Sequence, residues 1–184
     1  MTLQVLEEGG CFLNLKSDGV SIKIVNLKYF LTYYIFFCIA CISLGIFIGF
    51  ALDVNMIVSN PPKTGHSFMS VVLTSNTKNF ILYLFLPVLS PILQIFDLVS
   101  SSLQITLGIR LYGIQESFKY LFPHSFLEFP NFIFYQGLSQ YMLFVLIKTR
   151  SITQLLTEQK KFIKLYFLSF LILIFSAIVE GFVG

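Results

Sequence analysis

The chain of 184 residues contains no tryptophan, only two histidines, three cysteines and few charged side chains. Charged residues make up 11% of it, against about 25% in a typical soluble domain, and hydrophobic residues make up 56%. This composition argues against a water-soluble globular domain and predicts an all-helical, polytopic membrane protein. The net charge of +3 is small and is explained by membrane topology, so we expect no nucleic-acid partner.

The cysteines are too few for a disulfide framework, and Cys38 and Cys41 lie inside an apolar run. Their spacing matches a redox motif, but no strand–helix–strand pattern surrounds them, so we interpret both as small packing residues. A Gly-x-x-x-x-Gly-Lys-Ser/Thr motif is also missing from the sequence. Any use of ATP must therefore come from a partner.

Residues 1–28 are mixed and polar, and no apolar core precedes Tyr29, so we expect no cleaved signal peptide and a short cytoplasmic segment. Ser17-Asp18-Gly19 between alternating runs predicts a β-hairpin there. An amphipathic segment on the membrane surface fits the same residues, and the sequence leaves both open.

Residues 29–184 form the predicted membrane domain. Five stretches approach the length that crosses a bilayer, and the predicted spans are 29–52, 79–97, 101–121, 125–147 and 165–183. Pro87 and Pro91 predict a kink in the second span, and the serines at 100–102 predict a turn after it. The third stretch is polar enough that a re-entrant segment remains an alternative. Residues 53–78 contain Pro-Pro and Thr-Gly and predict a loop.

In the first span, Cys41, Gly45 and Gly49 recur every four residues. Small residues at this spacing let two helix backbones approach closely. We therefore predict that this stripe is a helix-packing face.

Polar residues follow one face of the fourth predicted span. Beginning in the stretch 123–130, they form what we call the polar seam: His124, Glu128, Asn131, Tyr135, Gln136 and Gln140. A charged group at a bilayer centre costs about 2.5–3.5 kcal/mol on insertion scales, and less near a helix end. The seam should therefore face protein, and lie near the outer surface at its His124 end.

Three roles are compatible with this seam. Hydrogen bonding between helices is one, and a binding or conduction surface is another. Metal-dependent or Glu-dependent peptidase chemistry is the third, with Glu180 of the last span beside His124 and Glu128. A catalytic zinc needs three protein ligands plus water, and no His-Glu-x-x-His motif occurs. We therefore favour hydrogen bonding and assign no metal and no cofactor.

Residues 148–164 carry five of the twelve lysines and arginines. The positive-inside rule makes this segment cytoplasmic, with the N-terminus inside and the C-terminus outside. Apolar residues at helical spacing predict a short amphipathic helix here. Leu155, Lys160 and Lys161 would dock it on lipid headgroups or on a cytoplasmic ATPase.

Pro123-His124 and Glu128-x-Pro130 resemble the Pro-His-Gly-x-x-Glu-x-Pro signature of the stage II sporulation protein M family, small bacterial membrane proteins. Residues 178–182, Ile-Val-Glu-Gly-Phe, are similar to that family's closing Ile-Glu-Ala-Phe segment. The resemblance covers residues 70–184. Ser125 stands where the family has glycine.

This resemblance implies a non-enzymatic membrane subunit of a bacterial complex. The first expectation is peptide (bacteriocin) export, maturation or immunity beside an ATP-binding subunit, and the second is a sporulation scaffold for cell-wall hydrolases. We expect a location in the bacterial cytoplasmic membrane, in contact with the lipid bilayer. Other membrane proteins, a second copy of the chain and a peptide substrate are further expected partners.

The predicted topology can be tested by cysteine labelling. A cysteine introduced at Ser151 is expected to resist an impermeant thiol reagent added outside the cell, because residues 148–164 carry the basic excess. It should react after the membrane is permeabilised. Labelling from outside in intact cells would contradict the predicted orientation.

Overall fold

The computed structural model describes residues 27–54 and 66–183, with side chains described at 27–54, 70–118 and 128–179. These parts of the chain form helices: α1 (Leu27–Ala51), α2 (His66–Phe85), a 3-10 turn (Pro87–Leu89), α3 (Ser90–Thr149), α4 (Ile152–Lys161) and α5 (Ile163–Val183). The all-helical class is confirmed for the described residues. The N-terminal hairpin or amphipathic segment predicted before residue 27 lies outside them.

Two stretches are long and apolar enough to cross a membrane: α1, with mean hydropathy 2.4, and Pro87–Phe118, with mean hydropathy 1.5. Helices α4 and α5 together make a third candidate, bent by 61° between them. Large aromatic side chains such as Phe36, Phe47 and Phe167 are exposed on the helices. The described residues thus contain two or three candidate spans, as expected of a membrane protein.

A break at Leu86 corrects the second predicted span. Residues 79–97 are not one kinked helix, because α2 ends at Phe85 and Leu86 leaves helical geometry at φ −121° and ψ 59°. Pro87 has no backbone N–H and its ring clashes with the preceding turn, so the helix cannot continue through it. Pro91 then falls in the first turn of α3, where the missing N–H is tolerated.

The turn predicted at residues 100–102 was wrong, because α3 runs through all three serines. The Ser102 hydroxyl donates to the Leu98 carbonyl at 2.6 Å, and Thr106 donates to Ser102 at 2.8 Å. Hydroxyls bound to the carbonyl four residues back are satisfied on their own helix. They therefore do not require a turn.

The loop predicted at 53–78 was also too long, since α2 begins at His66. Neither proline nor glycine occurs between Gly65 and Pro87, so the sequence holds no strong helix breaker there. The Pro-Pro pair of that loop lies outside the described residues.

Gly113 divides α3 into a first arm, residues 90–112, and a second arm, residues 114–149. Its φ of 81° and ψ of 165° suit glycine because other residues carry a Cβ that clashes there. Gln94 pairs with Gln140 and Asp97 with Gln136, so the arms run antiparallel. The start of a separate helix predicted near Ser125 was wrong, because the second arm is already helical from residue 114.

The glycine stripe of α1 lies against the first arm. A Cβ on Gly45 would collide with the Ser102 hydroxyl and the Val99 carbonyl, and one on Gly49 would come 2.8 Å from the Thr106 side chain. Cys41 is buried one turn before Gly45. The helix α1 and the first arm therefore lie so close together that positions 45 and 49 have room only for the hydrogen of glycine.

Aromatic side chains pack the rest of the bundle. The ring of Phe30, at the start of α1, meets Tyr141 and Phe144, near the end of the second arm, at 5.4 Å between centroids in both cases. Phe80 of α2 meets Tyr135 of the second arm at 5.2 Å. The start of α1 and the end of the second arm therefore lie at the same end of the bundle.

Replacing Gly45 by alanine is expected to destabilise the protein, because the new methyl group overlaps the first arm. Overpacking of this kind costs about 1–3 kcal/mol, more than the roughly 1 kcal/mol alanine gains in a helix. The matched control is Gly108→Ala, whose Cβ would meet Ser117 Oγ at an ordinary 3.8 Å. Thermal unfolding in detergent should show a loss for the first variant only, and equal midpoints would contradict this packing.

Candidate functional site

The described part of the polar seam is buried, as the sequence predicted. Asn131, Tyr135, Gln136 and Gln140 are all buried, and Glu128 is partly buried. The side chain of His124, at the other end of the seam, lies outside the described residues. Glu180, the third residue considered for a metal or peptidase site, is also outside them.

Asp97 of the first arm lies at the centre of the buried polar groups. Its carboxylate accepts from the Tyr83 hydroxyl at 2.6 Å, from Gln136 Nε2 at 3.1 Å and, more weakly, from Asn79 Nδ2 at 3.4 Å. Gln136 Nε2 also lies 3.0 Å from the Tyr83 hydroxyl. Three helical segments, α2 and both arms, thus converge on one carboxylate.

A second run of hydrogen bonds extends from the same helices to α1. Gln140 Nε2 donates to Gln94 Oε1 at 2.8 Å, and Gln94 Nε2 donates to the Tyr34 hydroxyl at 2.7 Å. That hydroxyl donates to the Ile133 carbonyl at 2.5 Å. Because bonds of this kind break if either helix moves, the run fixes α1 between the two arms.

The remaining seam residues link the second arm to α2 and α5. Glu128 accepts a hydrogen bond from Asn76 Nδ2 of α2. Asn131 donates to the Ser169 carbonyl at 2.9 Å and accepts from the Ser169 hydroxyl at 2.6 Å. The second arm is therefore bonded to the first arm, α2 and α5 through the face identified in the sequence.

Side chains also cap the end of α2. Pro87 cannot donate to the Tyr83 carbonyl, which accepts from the Ser139 hydroxyl at 2.6 Å instead. The break at Leu86 frees the Leu84 carbonyl, which accepts from Gln159 Nε2 of α4 at 2.8 Å. Carbonyls freed in an apolar environment must find partners in the protein or in water, and here neighbouring side chains supply them.

Arg110, a charged residue near the middle of the third predicted span, lies away from Asp97. Its guanidinium donates to the carbonyls of Gly49 at 2.6 Å and Leu52 at 2.7 Å, at the end of α1. A cation is favourable there because carbonyl groups at a helix C-terminus carry partial negative charge. Asp97 has no cationic partner among the described side chains.

Helix α4 is amphipathic, as predicted, and is fixed on its apolar side. Leu155 is only 8% exposed and packs in a core with Cys38, Tyr141 and Val145. Ile152 and Leu156 are 70% and 51% exposed. Leu155 thus packs inside the chain, and Ile152 and Leu156 form the apolar surface of α4. Docking of α4 through Lys160 and Lys161 stays a prediction. The Nζ atom of Lys161 lies 2.5 Å from Glu158 Oε1 in an ion pair.

Sequence reasoning placed Asp97 at a helix end and missed its central position. The available signal was that Asn79 and Tyr83 lie four residues apart on α2, and Gln94 and Asp97 three apart on α3, so each pair shares a helix face.

Within the described side chains, no group of three or more His, Cys, Asp and Glu residues could hold a metal ion. Comparisons with protein families, curated proteins and solved structures found no match.

We predict that Glu128 acts through its hydrogen bond with Asn76. Glu128→Gln keeps an acceptor oxygen for Asn76 and should unfold close to the wild-type temperature and retain activity. Glu128→Ala leaves the amide of Asn76 unpaired, at a cost of about 1–3 kcal/mol. Thermal unfolding and activity of the two variants check this. A folded, abundant Glu128→Gln protein as inactive as the alanine variant would instead indicate catalysis.

Proposed function

We propose that this chain is a non-enzymatic membrane subunit of a bacterial complex that exports, matures or confers immunity to a peptide (bacteriocin), together with a separate ATP-binding subunit. The resemblance to the stage II sporulation protein M family motivates the substrate class. The observation that carries the subunit role is the placement of α4.

Helix α4 is held in place by contacts within the chain. Leu155 anchors it in the core, and Gln159 binds the Leu84 carbonyl of α2. Its outer side presents Ile152 and Leu156 together with the exposed side chains of Lys160 and Lys161. A fixed helix with an apolar surface and adjacent cations is suited to transmit a partner's movement to α2, α3 and α5, because it contacts all three.

We further propose that the chain crosses the membrane five times, with its N-terminus in the cytoplasm. The five crossings are α1, α2, the two arms of α3, and α5, a set that differs in its boundaries from the spans predicted above. Three contacts support it: Phe30 at the start of α1 meets Tyr141, Leu84 at the end of α2 meets Gln159, and the arms are antiparallel. They bring the start of α1, the end of α2 and α4 to one end of the bundle, where the basic segment would be cytoplasmic.

The docking role of α4 can be tested by adding charge to its exposed face. Ile152→Glu and Leu156→Glu, in tagged protein purified in mild detergent, should reduce the co-purifying ATP-hydrolysing subunit by at least about tenfold, as expected when a central interface residue is disrupted. The measurement is the amount of that subunit and its ATPase activity in the eluate. Gln115→Glu is the control, since it adds the same charge on an exposed residue near Gly113.

Leu156→Lys separates a protein partner from the lipid surface. A helix that only rests on anionic headgroups should tolerate an added cation, whereas a protein interface that buries Leu156 should lose its partner. Full activity of a lone protein, unchanged by all three α4 variants, would contradict the subunit role. An equal loss with the Gln115→Glu control would contradict the assignment to α4.

A further inference from the structure

We propose that Asp97, Gln136 and Gln140 belong to a binding site inside the helical bundle for a small monovalent cation such as sodium. This inference is independent of the proposed peptide complex, because it rests on the buried polar groups of Asp97, Gln136 and Gln140 and not on α4 or on the family resemblance.

Asp97 is an ionisable side chain in an apolar part of the chain. Its carboxylate lies in the apolar stretch Pro87–Phe118 and is bonded by the neutral donors Tyr83, Gln136 and Asn79. A carboxylate in such surroundings is costly unless a positive charge accompanies it. The described side chains supply hydrogen bonds to Asp97 but no cation.

Buried oxygen acceptors without partners lie close to that carboxylate. Gln136 and Gln140 are 0% and 1% exposed, and the amide oxygen of each is buried without a hydrogen-bond partner in the protein. The amide nitrogen of Gln136 donates to Asp97 Oδ2. The amide oxygen of Gln136 is bonded to the same carbon atom as that nitrogen, so it also lies near the carboxylate. Gln140 follows one helical turn later on the same face.

These oxygen atoms select a particular kind of ligand. Carboxylate and amide oxygens are ligands for hard cations, not for soft metals. One carboxylate supplies a single negative charge, so a monovalent ion leaves the site neutral whereas a divalent ion would leave a buried positive charge. A proton on Asp97 provides one new donor and satisfies one glutamine oxygen at most, which leaves the second without a partner.

The test uses the full-length protein purified in detergent. Thermal unfolding is followed while sodium chloride replaces choline chloride at constant ionic strength, and bound radioactive sodium is counted on the same samples. A cation that binds only the folded state raises the unfolding temperature in a saturable way. We expect this rise, and saturable sodium binding, in the wild-type protein.

Three variants locate the site. Asp97→Asn should abolish the sodium-dependent part of both signals, and Gln140→Leu, one turn from the charge, should weaken sodium binding by roughly 10–100-fold. Glu116→Gln, an exposed carboxylate of the same helix, should retain the wild-type response. If Asp97→Asn does not fold, Gln140→Leu and the wild-type binding measurement still decide.

Four outcomes would overturn the proposal. The first is an absence of saturable sodium binding to the wild-type protein. The second is an unfolding temperature that follows pH but not sodium, and the third is an unfolding temperature that follows neither. The fourth is a sodium response that survives in Asp97→Asn or is unchanged in Gln140→Leu. The second outcome would indicate a proton alone, and the third a bound water molecule.

Discussion

A polar group in the apolar interior of this bundle is costly without a partner, and that constraint governs how the helices are arranged. Unpaired backbone and side-chain groups each cost several kcal/mol in a hydrocarbon environment. Apart from a few buried oxygens, among them the amide oxygens of Gln136 and Gln140, the chain meets the constraint with polar side chains on one face of the second arm of α3. They bond α2 through Tyr83 and Asn76, the first arm through Gln94 and Asp97, and α5 through Ser169.

The glycine stripe of α1 serves the same arrangement by a different means. Gly45 and Gly49 let the backbone of α1 approach the first arm, which puts Tyr34 within reach of Gln94. Arg110 then binds the carbonyls at the end of α1. Close packing and polar bonding thus reinforce each other along one helix pair, and neither depends on the hydrophobic effect, which is weak between helices in lipid.

Much of this could be predicted from sequence, because it depends on local patterns. Composition predicts the helical membrane class, the four-residue recurrence of Cys41, Gly45 and Gly49 picks out the face that meets the first arm, and a carboxylate in an apolar run indicates that the seam faces protein. The break between α2 and α3 was expected as a kink, since Pro87 must disrupt a helix but does not specify by how much.

The missed features depend on contacts between residues distant in sequence. Ser100–Ser102 have the composition of a turn, yet Ser102 and Thr106 bond backward onto their own helix and leave it intact. Gly113 reverses the chain through its backbone conformation. A single glycine in an apolar stretch is not enough to predict such a reversal. Asp97 became central only when α2 placed Tyr83 and Asn79 against it.

The hairpin formed by the two arms of α3 bears on how the chain enters a membrane during synthesis. The stretch Pro87–Phe118 is apolar enough to partition into lipid by itself, whereas the second arm carries Asn131, Gln136 and Gln140. Partners for these amides on the first arm and α2 are translated before them, and the partner on α5 comes after. In the proposed arrangement of five crossings, antiparallel arms joined at Gly113 would leave the translocon as a pair, so that the polar face of the later arm would meet side chains of the earlier helices instead of lipid.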